Sequence, residues 1–199
     1  MMDALNMYIN LVRVALTCLA LYHVYKREYM PTLSVGAVFA LTYLPWVVDA
    51  IFGIRMDLVG NVLYIALIVM TIYLGNVLKY YSKFSWWDRL IHFLSGITFV
   101  SFGVAIAHGA GVSNRFHVLF FCLTLSAFLH VIWEVLEYAS DSIFHTNSQS
   151  WQKVNVAVNH QPEAAIQPAG LVDTMNDTIV CMISTVAACA VWWFVLPLR

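Results

Sequence analysis

The chain has 199 residues, of which 61% are hydrophobic and 11% are charged. An average soluble domain is about 45–50% apolar and about 25% charged, whereas the mean hydropathy of this chain is +0.76. This composition excludes a disordered chain and a soluble enzyme, and the ten Lys and Arg residues form no basic stripe that would bind nucleic acid. The class that remains is an integral membrane protein, with room for about six helices at roughly 20 residues per span.

Apolar runs separated by short polar breaks predict an all-α bundle of about six transmembrane helices, forming one membrane domain over residues 1–199. The runs are continuous and not alternating, which excludes a membrane β-barrel. The predicted spans are approximately residues 4–24, 32–53, 58–78, 88–110, 116–139 and 172–196.

A polar segment rich in Ser, Asn and Gln separates the last two predicted spans, over residues 140–170. A connection of this length is usually functional or disordered. The sequence leaves open whether this segment covers a site or is a passive loop.

Basic residues are more frequent on one side of the predicted membrane than on the other. One side carries Lys26, Arg27, Lys79, Lys83, Arg89 and Lys153, and the other carries Arg55, Arg115 and Arg199. The positive-inside rule therefore predicts a cytoplasmic location for the first side, in what we expect to be the inner cell membrane, with both termini outside. The oligomeric state is not readable from the sequence.

The first polar motif, WWDRLIHF at residues 86–93, opens the fourth predicted span. Asp88 and His92 are four residues apart, so both lie on one face of a helix. A carboxylate and an imidazole one turn apart can bind a metal ion together. The alternative is structural, with Asp88 as the helix N-cap and His92 as a histidine satisfied at a helix interface.

The second motif, HVIWEVLEYASD at residues 130–141, closes the fifth predicted span. His130, Glu134, Glu137 and Asp141 fall within one narrow stripe of an otherwise apolar helix. The E-x-x-E pair resembles the carboxylate ligands of di-metal helix bundles, although those use E-x-x-H. His130 and Asp141 are additional ligand candidates, although a lone histidine on a helix face is more often a core residue than a ligand.

The third motif, GLVDTMNDT at residues 170–178, opens the last predicted span. Asp173 and Asp177 are again one turn apart. They are either metal ligands, or an N-cap and a carboxylate stabilised by the helix dipole.

Alternating spans bring all three motifs to the same membrane face at a similar depth. Five carboxylates this close cannot all remain ionised without protonation or a counter-ion, and Arg89 is an additional candidate for part of that role. Oxygen ligands with one or two imidazoles favour a divalent Zn, Mn, Fe or Mg ion. The predicted metal ligands are therefore Asp88, His92, Glu134, Glu137, Asp173 and Asp177, with Glu134 or Asp173 as the catalytic base.

The motif order D-R-x-x-H-F-x-x-G, W-E-x-x-E and D-T-x-x-D, which begins at Asp88, Trp133 and Asp173, resembles the YjdF-type (DUF2238) inner-membrane proteins. It is also similar to VanZ-like proteins, whose corresponding segments are D-K-x-x-H-F, E-x-x-Q and D-x-x-x-N. This chain has Glu137 in place of the Gln and Asp177 in place of the Asn. The first resemblance implies a membrane protein without an assigned reaction, and the second implies an association with the cell envelope and glycopeptide resistance.

Three functions follow from these observations. The first is a membrane-embedded, metal-dependent, hydrolase-like enzyme that acts on a membrane lipid or a lipid-linked substrate. The second is a proton- or cation-coupled transporter, since carboxylates and histidines within a membrane are typical of ion pathways. The third is a structural or adaptor protein in which the polar cluster joins the helices.

Overall fold

The computed structural model describes residues 2–150 and 168–196, and these residues are helical with no strand among them. The α-helices are α1 (Met2–Tyr25), α2 (Tyr29–Leu41), α3 (Leu44–Phe52), α4 (Leu58–Ile68), α5 (Tyr80–Lys83), α6 (Trp87–Gly109), α7 (Arg115–Phe144) and α8 (Ala169–Val195). A π-helical segment, Val69–Val77, continues α4. The predicted all-α fold is confirmed.

Among the described residues, six helical stretches are long and apolar enough to cross a membrane, as predicted. They are Leu5–Tyr25, Tyr29–Phe52, Leu58–Val77, Trp87–Gly109, Arg115–Phe144 and Ala169–Val195. The chain is therefore a polytopic helical membrane protein.

Helix α6 is the centre of the bundle, because it packs against α4, α7 and α8. Of its most apolar stretch, 61% is buried within the protein, against 11–33% for the other five spans. Two apolar clusters fill the interior: one between α6, α7 and α8 around Val100 and Cys122, and one between α1, α2 and the π-helical segment around Val35 and Tyr73.

The second span is interrupted between α2 and α3, a break that the sequence analysis did not predict. Pro45 occupies the first turn of α3 and cannot donate a backbone hydrogen bond, so the helix restarts there. Arg13 of α1 donates to the hydroxyl of Thr42 at 3.0 Å and to its carbonyl at 3.2 Å. The guanidinium also lies 3.6 Å from the ring centroid of Tyr43. Arg13 therefore supplies hydrogen bonds to the polar groups at the end of α2, where the second span is interrupted.

The boundaries of the last two spans differ from the prediction. Helix α7 continues to Phe144, so residues 140–144 are helical and do not belong to a loop. Helix α8 begins at Ala169, three residues before the predicted start. Both helices extend past the apolar runs because turns at a membrane surface can continue a helix with polar residues. Residues 151–167 of the predicted polar segment lie outside the described residues.

Candidate metal centre

The three motifs meet where α6 and α8 begin and α7 ends. Gly96 makes this meeting possible, because a Cβ atom at that position would lie 2.5 Å from the backbone oxygen of Cys181 and would also meet Ser184 and Thr185. His92 precedes Gly96 by one turn of α6, and Asp177 precedes Cys181 by one turn of α8. Close packing of the two helices therefore brings His92 and Asp177 together.

The first ligand group consists of Asp88, His92 and Asp177, whose candidate ligand atoms all lie within 4.8 Å of one another. The Nε2 atom of His92 is 3.6 Å from Oδ1 of Asp88 and 3.9 Å from Oδ2 of Asp177. His92 and Asp177 are buried, with 2% and 3% of their surfaces exposed. One imidazole thus faces two carboxylates at distances beyond direct hydrogen bonding.

The second ligand group consists of His92, His130 and Glu134, all of which are buried. Nε2 of His130 lies 3.6 Å from Oε1 of Glu134 and 2.9 Å from the hydroxyl of Thr178. That hydroxyl donates its single proton to the carbonyl of Thr174 at 2.8 Å, so His130 must donate from Nε2. This leaves Nδ1 of His130 as the nitrogen with a lone pair.

Several buried polar atoms of this centre have no hydrogen-bond partner among the described residues. They are Nε2 of His92 and both carboxylate oxygens of Glu134. Burying such atoms without partners is costly, so a group that accepts their lone pairs would stabilise the fold. Two nitrogen or oxygen ligands about 2.0–2.1 Å from a tetrahedral zinc ion lie roughly 3.3 Å apart, close to the distances around His92. The donor atoms and their spacing fit a divalent metal ion.

A cavity of about 970 Å³ adjoins the metal-ligand groups. Asp88, Glu137, Asp173 and Asp177 line it, together with Arg89 at its edge. Of the predicted ligands, Glu137 and Asp173 belong to neither ligand group found among the described residues. Glu137 accepts a hydrogen bond of 2.8 Å from the indole of Trp133.

Asp141 shares the helical stripe of Glu134 but has other partners. Its carboxylate accepts hydrogen bonds from the Thr146 hydroxyl at 2.6 Å and from the backbone amides of Ser148 and Gln149 at 2.7 and 2.9 Å. Asp141 therefore stabilises the conformation of the residues that follow α7. Thr146 and Ser148 line the cavity, so the described part of the polar segment forms one of its walls.

The alternative assignments of two aspartates as helix caps are wrong. Helix α6 is preceded by Trp86, and Asp88 lies in its first turn. Helix α8 is preceded by Pro168, and Asp173 lies in its second turn. Both carboxylates remain near positive helix termini, and neither occupies the cap position.

The π-helical segment and α5 contribute cavity residues that the sequence analysis did not find. Thr71, Asn76 and Tyr81 line the same cavity. Tyr81 fits because Gly75 has no side chain, and a Cβ atom there would collide with the Tyr81 ring. Burial and, secondly, the Asp88 carboxylate raise the pKa of Tyr81 above its ordinary value, so its phenol stays protonated at neutral pH. The sequence contains one indication of this contact, a glycine six residues before a tyrosine, but this spacing alone does not predict a cavity residue.

Comparison with known proteins identifies one family. A family model described as a predicted membrane protein (DUF2238) matches residues 5–197, nearly the whole chain. No curated protein matches the chain. No solved structure matches it either.

Proposed function

We propose that this chain, which belongs to the DUF2238 family of predicted membrane proteins, is a membrane-embedded, metal-dependent enzyme of hydrolase type. Its substrate is a membrane lipid or a lipid-linked molecule. The observation that carries this proposal is Nε2 of His92, a buried nitrogen without a hydrogen-bond partner among the described residues, facing carboxylates at 3.6 and 3.9 Å. A metal ion at that point would accept the lone pair of the His92 nitrogen between the two carboxylates.

The charge of the two ligand groups supports a divalent cation. Asp88, Glu134 and Asp177 sum to −3 when ionised, and the two histidines are neutral as metal ligands. One divalent ion would reduce this charge to −1, and two would change it to +1. Zn, Mn, Fe and Mg remain the candidates, because these ligands are oxygen and imidazole nitrogen.

The residues of the two ligand groups and of the adjoining cavity then have separate proposed roles in hydrolysis. A divalent ion held by Asp88, His92 and Asp177 would supply Lewis-acid chemistry, because it would make a water molecule bound to it more acidic. Glu134 is the proposed base that accepts the proton, because its buried carboxylate lies in the second ligand group, 3.6 Å from Nε2 of His130. Asp173 remains the second candidate, because it lines the adjoining cavity. Thr178 holds the His130 ring through its hydrogen bond.

A purely structural polar network is less consistent with these contacts. Networks that join helices are stabilising when every member is hydrogen-bonded, and partly satisfied networks are costly. His92 is 2% exposed, and its Nε2 atom has no hydrogen-bond partner in the described part of the chain. A buried imidazole nitrogen without a partner favours a bound ligand over a fully hydrogen-bonded adaptor network.

Metal analysis of the full-length protein, purified in detergent without chelators, tests the proposal. We expect bound divalent metal in stoichiometric amount, and its loss in His92→Gln. The matched control is His108→Gln, which changes an exposed histidine at the other end of the same helix and should retain the metal. A folded wild-type protein that binds no divalent metal after incubation with each candidate ion would refute the proposal.

A further inference from the structure

We propose that the substrate of this site is a lipid with a phosphate or diphosphate headgroup, bound in the cavity beside the metal-ligand groups. This inference rests on the metal-dependent function proposed above and names its substrate class. The evidence is the pattern of charge around the cavity, the neutral donors on its walls and its opening toward the apolar surface.

Cations and carboxylates line the same cavity. Lys83 lies at the end of α5 and Arg89 in the first turns of α6. The carboxylates come from α6, α7 and α8, at Asp88, Glu137, Asp173 and Asp177. Sites that bind phosphate through a metal ion combine carboxylates, which hold the metal, with Lys or Arg, which bind the remaining phosphate oxygens. A neutral headgroup would leave the two cations without an anionic group to bind.

Neutral hydrogen-bond donors fill the remaining polar wall. They include the hydroxyl or amide groups of Asn76, Tyr81, Ser82, Ser85, Asn147 and Ser148. A phosphate ester offers several acceptor oxygens and few donors, so walls rich in hydroxyl and amide groups complement it. The volume of about 970 Å³ is at the upper end for small-molecule sites, which leaves room for a headgroup and part of its chain.

One side of the cavity reaches the apolar outer surface of α7. Trp133 and Leu136 line the cavity and are also 39% and 58% exposed. These side chains lie within the Arg115–Phe144 stretch, which is long and apolar enough to cross a membrane. A headgroup can therefore enter the cavity while its acyl or prenyl chain lies against α7. This geometry favours a lipid phosphate over a free phosphate ion.

Charge balance makes lipid binding depend on the metal. Four carboxylates and two cations give the cavity lining a formal charge of −2, which repels a phosphate. One divalent ion cancels this excess, and a second makes the cavity positive. We therefore expect phosphate-lipid binding only when the metal is bound.

Native mass spectrometry of the full-length protein in detergent measures metal and lipid on the same ion. The probes are phosphatidate, which carries a phosphomonoester, and diacylglycerol with the same acyl chains, which carries no phosphate. We expect metal-loaded wild-type protein to bind phosphatidate at least about tenfold more tightly than diacylglycerol. The double variant Lys83→Gln/Arg89→Gln should lose this preference while it retains the metal, because neither cation is a ligand.

The matched control is Lys26→Gln/Arg27→Gln, at the same membrane face but outside the cavity. Lys26 and Lys83 each lie near a tyrosine ring, with Nζ 5.9 and 5.7 Å from the ring centroid. The control should bind metal and phosphatidate as wild type does. Loss of the preference in both double variants would refute the assignment of the cavity.

The remaining outcomes separate the two proposals. Metal-loaded protein that binds both lipids equally would refute the phosphate-lipid assignment and leave the metal site intact. Displacement of phosphatidate by equimolar inorganic phosphate would refute the lipid assignment in favour of a free anion. Protein that binds no metal would refute the proposed function, and phosphatidate preference without metal would refute the metal dependence of lipid binding.

Discussion

The imidazole of His92 meets that of His130 edge to face, with ring centroids 5.3 Å apart and ring planes at 88°. Each histidine has a carboxylate one turn away on its own helix, Asp88 on α6 and Glu134 on α7. The contact between the rings therefore joins two ligand pairs from different helices into one centre. Helix α8 contributes Asp177 to this centre and Thr178 as the hydrogen-bond partner of His130.

Gly96→Ala should destabilise the protein and weaken the metal centre together. The added Cβ would lie 2.5 Å from the backbone oxygen of Cys181, so α6 and α8 must separate, at a cost of about 1–3 kcal/mol. Separation also moves His92 away from Asp177. Thermal unfolding in detergent and metal content of the purified variant check both effects.

Gly36→Ala is the control for that substitution. Gly36 lies within α2, and a Cβ atom there meets nothing within 4 Å. Alanine should therefore leave the protein unchanged or stabilise it by roughly 0.5–1 kcal/mol. Equal unfolding temperatures for the two variants would contradict the close packing of α6 and α8.

Arg13→Gln should destabilise the bundle more than Arg55→Gln. Arg13 donates two hydrogen bonds to Thr42 at the break in the second span, and unsatisfied groups there cost about 1–3 kcal/mol. Arg55 forms a more exposed ion pair with Asp49 at 2.9 Å, a kind of contact that contributes about 0–1 kcal/mol. Unfolding temperatures of the two variants in the same detergent compare these costs, and a larger loss for Arg55→Gln would refute the role of Arg13.

Sequence patterns predicted the six spans and the convergence of the three motifs. Both depend on local rules: an apolar run must be long enough to cross a membrane, and alternating spans return to the same side. Asp88, Glu134 and Asp177 come together because each lies in the half of its helix that is closest to the same side of the bundle. The resemblance to the DUF2238 family rested on these same motifs and is confirmed by the family match.

Contacts made in the folded chain set the roles of Asp141, Arg13 and Tyr81, and helical periodicity alone does not predict these contacts. Asp141 has the same helical phase as Glu134, yet it lies where the chain leaves α7, so backbone amides reach its carboxylate. Helical phase alone cannot distinguish the two. The break after Thr42 had a visible signal in Pro45, but the arginine that stabilises it lies 29 residues away in sequence. Tyr81 enters the cavity only because a glycine in the π-helical segment leaves room.

The two ends of α7 should lie on opposite sides of the membrane. Ser113 directly precedes the N-cap of α7, and Asn147 follows its C-terminal end; both are exposed. We expect an impermeant thiol reagent added to intact cells to label Ser113→Cys and not Asn147→Cys, because the positive-inside rule places the second site in the cytoplasm. Labelling after permeabilisation is the control for reactivity. Labelling of both sites from one side would refute the topology.

Glu134→Gln distinguishes a metal centre from a metal-free acidic cluster, because the two predict opposite changes in the stability of the protein. The substitution preserves size and removes one negative charge. In a metal centre it removes a ligand, and we expect affinity to fall at least as much as the roughly 10–100-fold seen when residues around ligands are changed. Stability then falls as well, because metal binding is linked to folding. In a metal-free cluster, removing a charge among Asp173, Asp177 and Glu137 relieves repulsion, and the variant should be equally or more stable.

Unfolding temperatures of wild-type protein and Glu134→Gln, each with and without a chelator, separate these cases. For a metal centre, we expect the chelator to lower the unfolding temperature of wild type and to have a smaller effect on Glu134→Gln. Glu28→Gln is the control, because Glu28 pairs with His23 at the same membrane face and lies in neither ligand group. It should keep the wild-type response to the chelator. A stabilised Glu134→Gln, together with a wild-type protein that does not respond to the chelator, would eliminate the metal-dependent function.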